Sequence, residues 1–124
     1  MTRFKSQGFN NTFKNARKGF RLALKSEMNI RIHVIIAFLV LLFAYLLNFS
    51  ALEICMTIFA ISIVIVSEML NTAIEFTLDS VYHNKYSKMV GMAKDISAGA
   101  VLFATFTSIL VGIILFGSKI LTLI

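Results

Sequence analysis

The stretch ISAGAVLFATFTSILVGIILF, residues 96–116, decides the fold class, because it contains no charged side chain over its whole length. A helix needs about 20 mostly apolar residues to cross the hydrocarbon core of a bilayer. Two shorter apolar stretches precede it, at residues 32–47 and 54–67, and each reaches a full span only with its flanking residues. Hydrophobic residues make up 58% of the 124 residues, too many for a soluble domain of this size. The sequence therefore predicts an all-α membrane protein.

The predicted organisation is a single membrane domain over residues 1–124. An N-terminal surface helix is expected within residues 1–29 and a polar loop at residues 80–95. The three transmembrane helices are expected at residues 30–49, 53–79 and 96–117, and the second of them extends beyond the membrane. In the third span, small residues recur every four positions, a pattern that lets transmembrane helices pack closely. They are Ala100, Ala104, Ser108 and Gly112.

The segment before the first span has the pattern of an amphipathic helix. Its apolar residues repeat at spacings of three and four: Phe9, Phe13, Ala16, Phe20, Ala23 and Leu24. Its basic residues take the opposite side: Lys14, Arg17, Lys18, Arg21 and Lys25. We expect this helix to lie in the membrane interface with its basic face toward lipid phosphates. Glu27 continues the apolar stripe, so its side chain is expected to point into the helix bundle.

The distribution of Lys and Arg predicts the orientation in the membrane. Eight of the twelve lie within residues 1–31, three lie within residues 80–95, and the last is Lys119. The loop at residues 48–53 has none. The N-terminus and the second loop are therefore expected on the cytoplasmic side of a bacterial plasma membrane, and the C-terminus outside. All the carboxylates except Glu53 then fall on the cytoplasmic side.

The candidate chemistry lies in SEMLNTAIEFTLD, residues 67–79. With Glu68 as the origin, helical rotation of about 100° per residue places its polar residues within an arc of roughly 100°. One helix face thus carries three carboxylates, an amide and a hydroxyl, from Glu68, Asn71, Thr72, Glu75 and Asp79. Ionisable residues inside a membrane span are costly and usually functional.

Neighbouring carboxylates repel one another, so either their pKa values rise or a cation binds among them. Oxygen ligands of this kind suit Mg²⁺, which proteins usually hold with one or two carboxylates plus substrate phosphates. A metal–nucleotide site is one interpretation, with Glu27 as a further ligand. A proton or cation conduit is a second. In a third, these acids line a solvated helix end, and Asp79 pairs with Lys85, Lys88 or Arg31.

Lys94 and Asp95 directly precede the third predicted span. A carboxylate at a helix N-terminus is a favourable cap, which by itself would explain Asp95. A lysine there opposes the helix dipole unless an anion lies nearby, so Lys94 is a candidate phosphate ligand. His33 has no role assigned from the sequence.

Several functional classes are excluded or disfavoured. The chain has no P-loop and no GxGxxG motif, so the common nucleotide-binding folds are excluded by motif. Cys55 is the only cysteine, which rules out a disulfide framework or a cysteine metal site within one chain. The net charge of +6 fits contact with anionic lipids better than nucleic-acid binding in so apolar a protein.

Three motifs together resemble the small prokaryotic diacylglycerol kinases, whose Gram-positive members act mainly on undecaprenol. They are ARKG at residues 16–19 with Glu27, EMLNTAIE at residues 68–75 with Asp79, and AKD at residues 93–95 leading into SAGAVL. The resemblance covers nearly the whole chain. It implies a homotrimer of three-helix bundles with active sites shared between neighbouring chains. ATP and Mg²⁺ would be needed for phosphorylation of a membrane lipid alcohol.

The resemblance also implies residue roles. Glu68 corresponds to the general base that acts on the lipid hydroxyl, and Glu27 and Glu75 correspond to the metal-binding acids. The nucleotide-site residues would be Asn71, Lys94, Asp95, Asp79, Arg17 and Lys18. The loop at residues 83–91 departs from the family pattern, so residues that contact adenine are not assigned.

The function expected from the sequence is ATP- and Mg²⁺-dependent phosphorylation of undecaprenol to undecaprenyl phosphate at the inner leaflet. The motif NTAIE at residues 71–75 and a composition rich in Lys, Ile and Asn resemble those of low-GC Gram-positive proteins. This resemblance favours undecaprenol as the substrate. Diacylglycerol is the alternative lipid substrate. Outside the kinase class, the alternatives are a small cation or proton conduit and a purely structural membrane subunit.

Overall fold

The computed structural model describes residues 8–124, which form four α-helices. They are α1 (Phe9–Ser26), α2 (Met28–Leu46), α3 (Ala51–Tyr82) and α4 (Lys88–Leu123). Helices α2, α3 and α4 are each long and apolar enough to cross a membrane. The all-helical class and the three long apolar helices are therefore confirmed. Arg3 and Lys5, which were counted in the orientation argument, lie outside the described residues.

Helix α3 is the centre of the bundle, because it packs against both α2 and α4. Short connections at residues 47–50 and 83–87 make each helix run antiparallel to the next. Contacts between α3 and α4 follow this direction: Ser108 donates to the Ala60 carbonyl at 2.6 Å, and Ser97 donates to Asn71 at 2.7 Å. Helix α1 packs mainly on α2.

Buried side chains recur every seven residues along the bundle. Helix α2 buries Ile30, Ala37 and Ala44, and α4 buries Val90, Ser97 and Ala104. Helix α3 buries Thr57 and Val64 at the same spacing, and then Glu68 and Thr72 at steps of four. Seven residues return to nearly the same side of a helix, and this repeat is typical of left-handed helix packing. Most of these residues are small, so the backbones approach closely. Large side chains such as those of Phe38, Phe59 and Phe103 point outward instead.

The predicted small-residue stripe on α4 is only partly a packing surface. Ala104 is buried, Ser108 bonds to α3 and Gly112 is half-buried, whereas Ala100 is exposed. Strict four-residue steps turn about 40° per step around the helix, which carries Ala100 away from α3. The seven-residue spacing, through Ser97 and Ala104, follows the contact instead.

Two predicted helix boundaries are wrong. Residues 80–95 are not one loop, because α3 continues to Tyr82 and α4 already begins at Lys88. Ser87 caps α4 by accepting a hydrogen bond from the Val90 N–H at 3.2 Å, so Asp95 is not the cap. The polar character of these residues suggested a loop, but they continue both helices beyond the apolar segments.

The break between α1 and α2 also differs from the expectation. Helix α1 ends at Ser26, and Glu27 has an extended backbone with φ −122° and ψ 119°. The Arg31 guanidinium then donates to the carbonyls of Leu24 and Lys25 at 3.2 and 3.0 Å, which satisfies the exposed end of α1. Glu27 therefore does not extend the apolar stripe of α1; it is a half-buried residue at the junction.

The far end of the bundle is held by a compact cluster. Ser50 and Glu53 form a reciprocal capping box at the start of α3. Glu53 also pairs with Lys119 at 3.1 Å, and the Phe49 ring packs on Phe116 with centroids 4.7 Å apart. Glu53, the acid that the sequence placed apart from the others, thus has a structural role at this end.

Packing of α4 on α3 predicts that the same substitution, Ala to Leu, destabilises the protein at one position of α4 and not at another. Ala104→Leu should destabilise the bundle by about 1–3 kcal/mol, because an enlarged side chain must push α3 away. Ala100→Leu, the matched control on the exposed side, should be close to neutral. Thermal unfolding of the purified variants in detergent measures both. Equal loss of stability at the two positions would contradict the seven-residue packing.

Candidate active site

The polar face of α3 points toward the neighbouring helices. Glu68 and Thr72 are buried, and Asn71, Glu75 and Asp79 are half-buried. The intervening apolar residues Leu70, Ala73, Ile74 and Phe76 are exposed on the other sides of the helix. The arc of polar residues that the sequence placed on one helix face is therefore the inner face of α3.

Two side-chain contacts tie this face to α4. The Ser97 hydroxyl donates to Asn71 Oδ1 at 2.7 Å, and Asn71 Nδ2 donates to Glu75 Oε1 at 3.3 Å. Two turns further along α3, the Lys94 ammonium donates to Asp79 Oδ1 at 2.7 Å. An amide, a hydroxyl, an ammonium and two carboxylates are thereby fixed along one helix interface.

The position of Lys94 corrects the argument from the helix dipole. Lys94 lies in the second turn of α4, not at its start, and Asp79 supplies the nearby anion. The expected partners of Asp79, namely Lys85, Lys88 or Arg31, are also wrong. Helix α4 begins early enough to bring Lys94 alongside the end of α3, whereas Lys85 lies in the connecting turn.

Glu68 lies at the inner end of this polar face and contacts α2. Only 9% of its side chain is exposed, and its Oε1 lies 3.4 Å from Nε2 of His33. Within residues 8–124, no other side chain forms a hydrogen bond or ion pair with the Glu68 carboxylate. His33 was left unassigned by the sequence, although a polar residue inside an apolar span was a usable signal.

The remaining predicted site residues come from α1 and from its junction with α2. Arg17 and Lys18 are exposed on α1, and Glu27 is half-buried at the α1–α2 junction. Within the described part of the chain, no three His, Cys, Asp or Glu side chains come together as a metal-binding group. One chain therefore does not bring Glu27 into a closed metal cage with Glu75.

A polar pocket of about 270 Å³ opens where α3 ends and α4 begins. Asp79, Lys94 and Asp95 line it together with residues from the connecting turn, including Asn84, Lys85 and Tyr86. The Tyr86 ring packs directly against Gly91, and any larger residue there would be too close, since a Cβ would lie 3.0 Å from the ring. The pocket therefore adds an aromatic ring and a second lysine to the residues that the sequence selected.

An apolar cavity of about 370 Å³ lies on the other side of Glu68, between α2, α3 and α4. His33 and Ile65 line the end nearest Glu68, and Thr57 and Phe116 line the far end. It exists because α2 and α4 both pack on α3 but make little contact with each other. Along α3, the buried carboxylate thus lies between the residues that line the two spaces, with Ile65 about one turn before it and Asp79 about three turns after it.

This arrangement is suited to a reaction between a charged and an apolar molecule. Glu68 can accept a proton from a hydroxyl group that enters along the apolar cavity. Lys94 and Lys85 can attract an anion into the polar pocket. Asn71 and Glu75 lie between these positions on the same helix face.

Comparisons with known proteins show which family this sequence resembles. A family model described as prokaryotic diacylglycerol kinase matches residues 14–116. The diacylglycerol kinase of Synechocystis sp. is 33% identical over 101 residues, which cover 82% of this chain but 58% of that relative. The undecaprenol kinase of Bacillus subtilis is 32% identical over 111 residues, covering 90% of this chain and 89% of the relative. The diacylglycerol kinase of Escherichia coli is 31% identical over 101 residues, 82% of each chain.

The hydrogen bond from Ser97 to Asn71 predicts a measurable contribution to stability. Ser97→Ala should lower the free energy of unfolding by about 1 kcal/mol, because Asn71 Oδ1 loses its donor in a half-buried position. Ser118→Ala, at an exposed position near the end of the same helix, is the control and should have little effect. Unfolding in mixed micelles measures the difference. If Ser97→Ala is as stable as the control, the hydrogen bond from Ser97 to Asn71 does not stabilise the α3–α4 interface.

Proposed function

The chain belongs to the prokaryotic diacylglycerol kinase family, a family of membrane lipid kinases, and on this premise we propose that it phosphorylates undecaprenol. ATP would donate the γ-phosphoryl group, and the product would be undecaprenyl phosphate at the inner leaflet. Diacylglycerol is the second candidate substrate, with phosphatidic acid as its product. The observation that carries the proposal is the position of the buried Glu68 carboxylate on α3, between the residues that line the apolar cavity and those that line the polar pocket.

The proposed reaction follows from what the two compartments can bind. A lipid alcohol would approach along the apolar cavity with its hydroxyl group near Glu68, and the nucleotide would occupy the polar pocket. The O–H bond breaks and its proton passes to a Glu68 carboxylate oxygen. A bond forms between the lipid oxygen and the γ-phosphorus, the bond from that phosphorus to the bridging oxygen breaks, and ADP leaves.

The residues between the two compartments would hold the phosphates. Lys94 is already positioned by Asp79 at 2.7 Å, so its ammonium need not be ordered when the nucleotide binds. Asn71, fixed by Ser97, offers an amide close to Glu75. Asp95 borders the same pocket. We propose that Asn71, Asp79, Lys94 and Asp95 form the nucleotide site, with Arg17 and Lys18 contributing from the basic side of α1.

The donor set fits a magnesium ion that arrives with the nucleotide. Mg²⁺ usually retains waters and is held by one or two carboxylates plus substrate phosphates, so a closed protein cage is not required. Glu75 presents a half-buried carboxylate in the correct region, and Glu27 is the second acid proposed to hold the ion. When bound, Mg²⁺ would neutralise charge on the transferring phosphoryl group.

The choice of undecaprenol rests on two supports. The Bacillus subtilis relative, named an undecaprenol kinase, is matched over more of this chain and more of its own length than the relatives named diacylglycerol kinases. The composition and the NTAIE motif also favour undecaprenol. Both lipids present a hydroxyl group on a long apolar body, so the same catalytic residues would serve either substrate.

The proposed orientation places the polar pocket on the cytoplasmic side, where ATP is present. The basic residues of α1 and of residues 80–95 support it, since cytoplasmic segments carry an excess of Lys and Arg. On α1, Phe9 and Phe13 are 82% and 61% exposed, so an apolar stripe is free to rest on the bilayer. We propose that α1 lies in the interface as an amphipathic surface helix.

We propose that the working enzyme is a homotrimer with active sites shared between neighbouring chains. The described chain buries only six apolar and four polar side chains, which leaves most of its helix surfaces free for contact. Within the described residues of one chain, no group of three or more His, Cys, Asp or Glu side chains that could hold a metal ion is formed. A neighbouring chain could supply Glu27 to a site built on α3 and α4.

Lipid phosphorylation by the purified protein tests the function directly. With labelled ATP and Mg²⁺ in mixed micelles, undecaprenol should be labelled faster than diacylglycerol, and omission of Mg²⁺ should abolish labelling. Faster labelling of diacylglycerol would transfer the proposal to that substrate. If a folded protein labels neither lipid but carries ions across proteoliposomes without nucleotide, it is a conduit and not a kinase.

Substitutions at two acids on α3 should separate their roles. Glu68→Gln should reduce turnover by at least about 1,000-fold without unfolding the protein, because the amide cannot accept the hydroxyl proton. Glu75→Gln should raise the KM for MgATP by about 10-fold or more, because a ligand to the metal–nucleotide complex is lost. Initial rates at varied MgATP and lipid concentrations distinguish the two effects.

Glu53→Gln is the matched control for both substitutions. Glu53 lies at the opposite end of α3, where it caps the helix and pairs with Lys119. It should retain turnover and KM close to those of the unmodified protein. Full activity of Glu68→Gln would exclude Glu68 as the base, and an unchanged KM in Glu75→Gln would exclude Glu75 from the nucleotide complex.

A further inference from the structure

His33 is the polar group of α2 that reaches the inner face of α3. Its Nε2 lies 3.4 Å from Oε1 of Glu68. A quarter of the His33 side chain is exposed, whereas the Glu68 side chain is almost completely buried. The imidazole also forms one end of the apolar cavity. It therefore lies at the junction between the cavity and the carboxylate.

The backbone of α2 is firmly placed on both sides of His33. Ile30, one turn before it, is completely buried, and Ala37, one turn after it, is also buried. Both residues belong to the seven-residue repeat along which α2 packs. The imidazole is thus carried by a segment whose distance from α3 is set by packing. A movement of a few tenths of an ångström would bring the two atoms within the 2.7–3.2 Å of an ordinary hydrogen bond.

A glutamate that acts as a base needs an oriented carboxylate. Its side chain has three rotatable bonds, and its lone pair must point at the hydroxyl proton from hydrogen-bond distance. The acids and amide further along α3 are occupied elsewhere: Asn71 with Ser97 and Glu75, and Asp79 with Lys94. A hydrogen bond from His33 to Oε1 would leave Oε2 available to the substrate hydroxyl.

We propose that His33 is a positioning residue for the phosphorylation reaction, holding the Glu68 carboxylate by donating its Nε2 proton to Oε1. This role rests on the proposed function, in which Glu68 accepts the proton of the lipid hydroxyl. His33 does not touch the nucleotide pocket, since the residues of that pocket come from α3, α4 and their connecting turn. Its loss should therefore change turnover and leave nucleotide affinity unaltered.

Two substitutions of His33 separate hydrogen bonding from packing. His33→Leu retains an apolar wall for the cavity but loses the donor, and kcat should fall about 10- to 100-fold, the value of a hydrogen bond to a charged group. The KM for MgATP should stay unchanged. His33→Gln places an amide N–H near the position of Nε2 and should recover kcat to within about threefold of the unmodified protein. Ile35→Ala, on the exposed side of the same turn of α2, is the matched control.

A double-mutant cycle with Glu68→Asp tests whether His33 acts through the carboxylate. The shorter side chain withdraws the carboxylate from His33, so adding His33→Leu to Glu68→Asp should cost less than about threefold in kcat. A full loss in that background, a raised KM for MgATP or an unimpaired His33→Leu would each overturn the positioning role. If the unmodified protein phosphorylates neither undecaprenol nor diacylglycerol, the proposed function itself fails, which is a different result.

Discussion

Polar side chains on a helix inside a membrane must find partners on neighbouring helices, because the hydrocarbon offers them none. Helix α3 carries such residues along one face for three turns. The structure satisfies them through Ser97 and Lys94 on α4 and through His33 on α2. These contacts fix the register of both neighbouring helices against α3. The same requirement that stabilises the bundle therefore also assembles the candidate active site.

Apolar packing supplies the complementary constraint. Burial within the chain is sparse, and it follows a seven-residue repeat of mostly small side chains. Small residues let α2 and α4 approach α3 closely, while the large side chains face outward. Because α2 and α4 meet α3 separately, an apolar cavity remains between them. A tightly filled three-helix core would leave no such space beside Glu68.

The chemistry of the site follows from where the two constraints meet. The proposed phosphorylation of a lipid alcohol requires an apolar alcohol and a charged phosphoryl donor to react in one place. On α3, the buried Glu68 lies between the residues that line the apolar cavity and those that line the polar pocket, so each partner would approach through surroundings that match its own chemistry. Lys94 is held by Asp79 and Asn71 by Ser97, which leaves little side-chain reorganisation to the moment of reaction.

The sequence by itself determined the class of the protein, its three long apolar helices, its family and the polar face of α3. These depend on hydrophobic length and on helical periodicity, which are local properties. It misplaced the start of α4 and the cap of that helix, because polar residues that extend a helix beyond an apolar segment resemble a loop in composition. The sequence also predicted that Glu27 continues the apolar stripe of α1. This was wrong because periodicity does not show where a helix ends. The partners of Asp79 and Glu68 were decided only by the tertiary structure. They depend on the antiparallel register of three helices, and that register arises from packing between residues far apart in the chain.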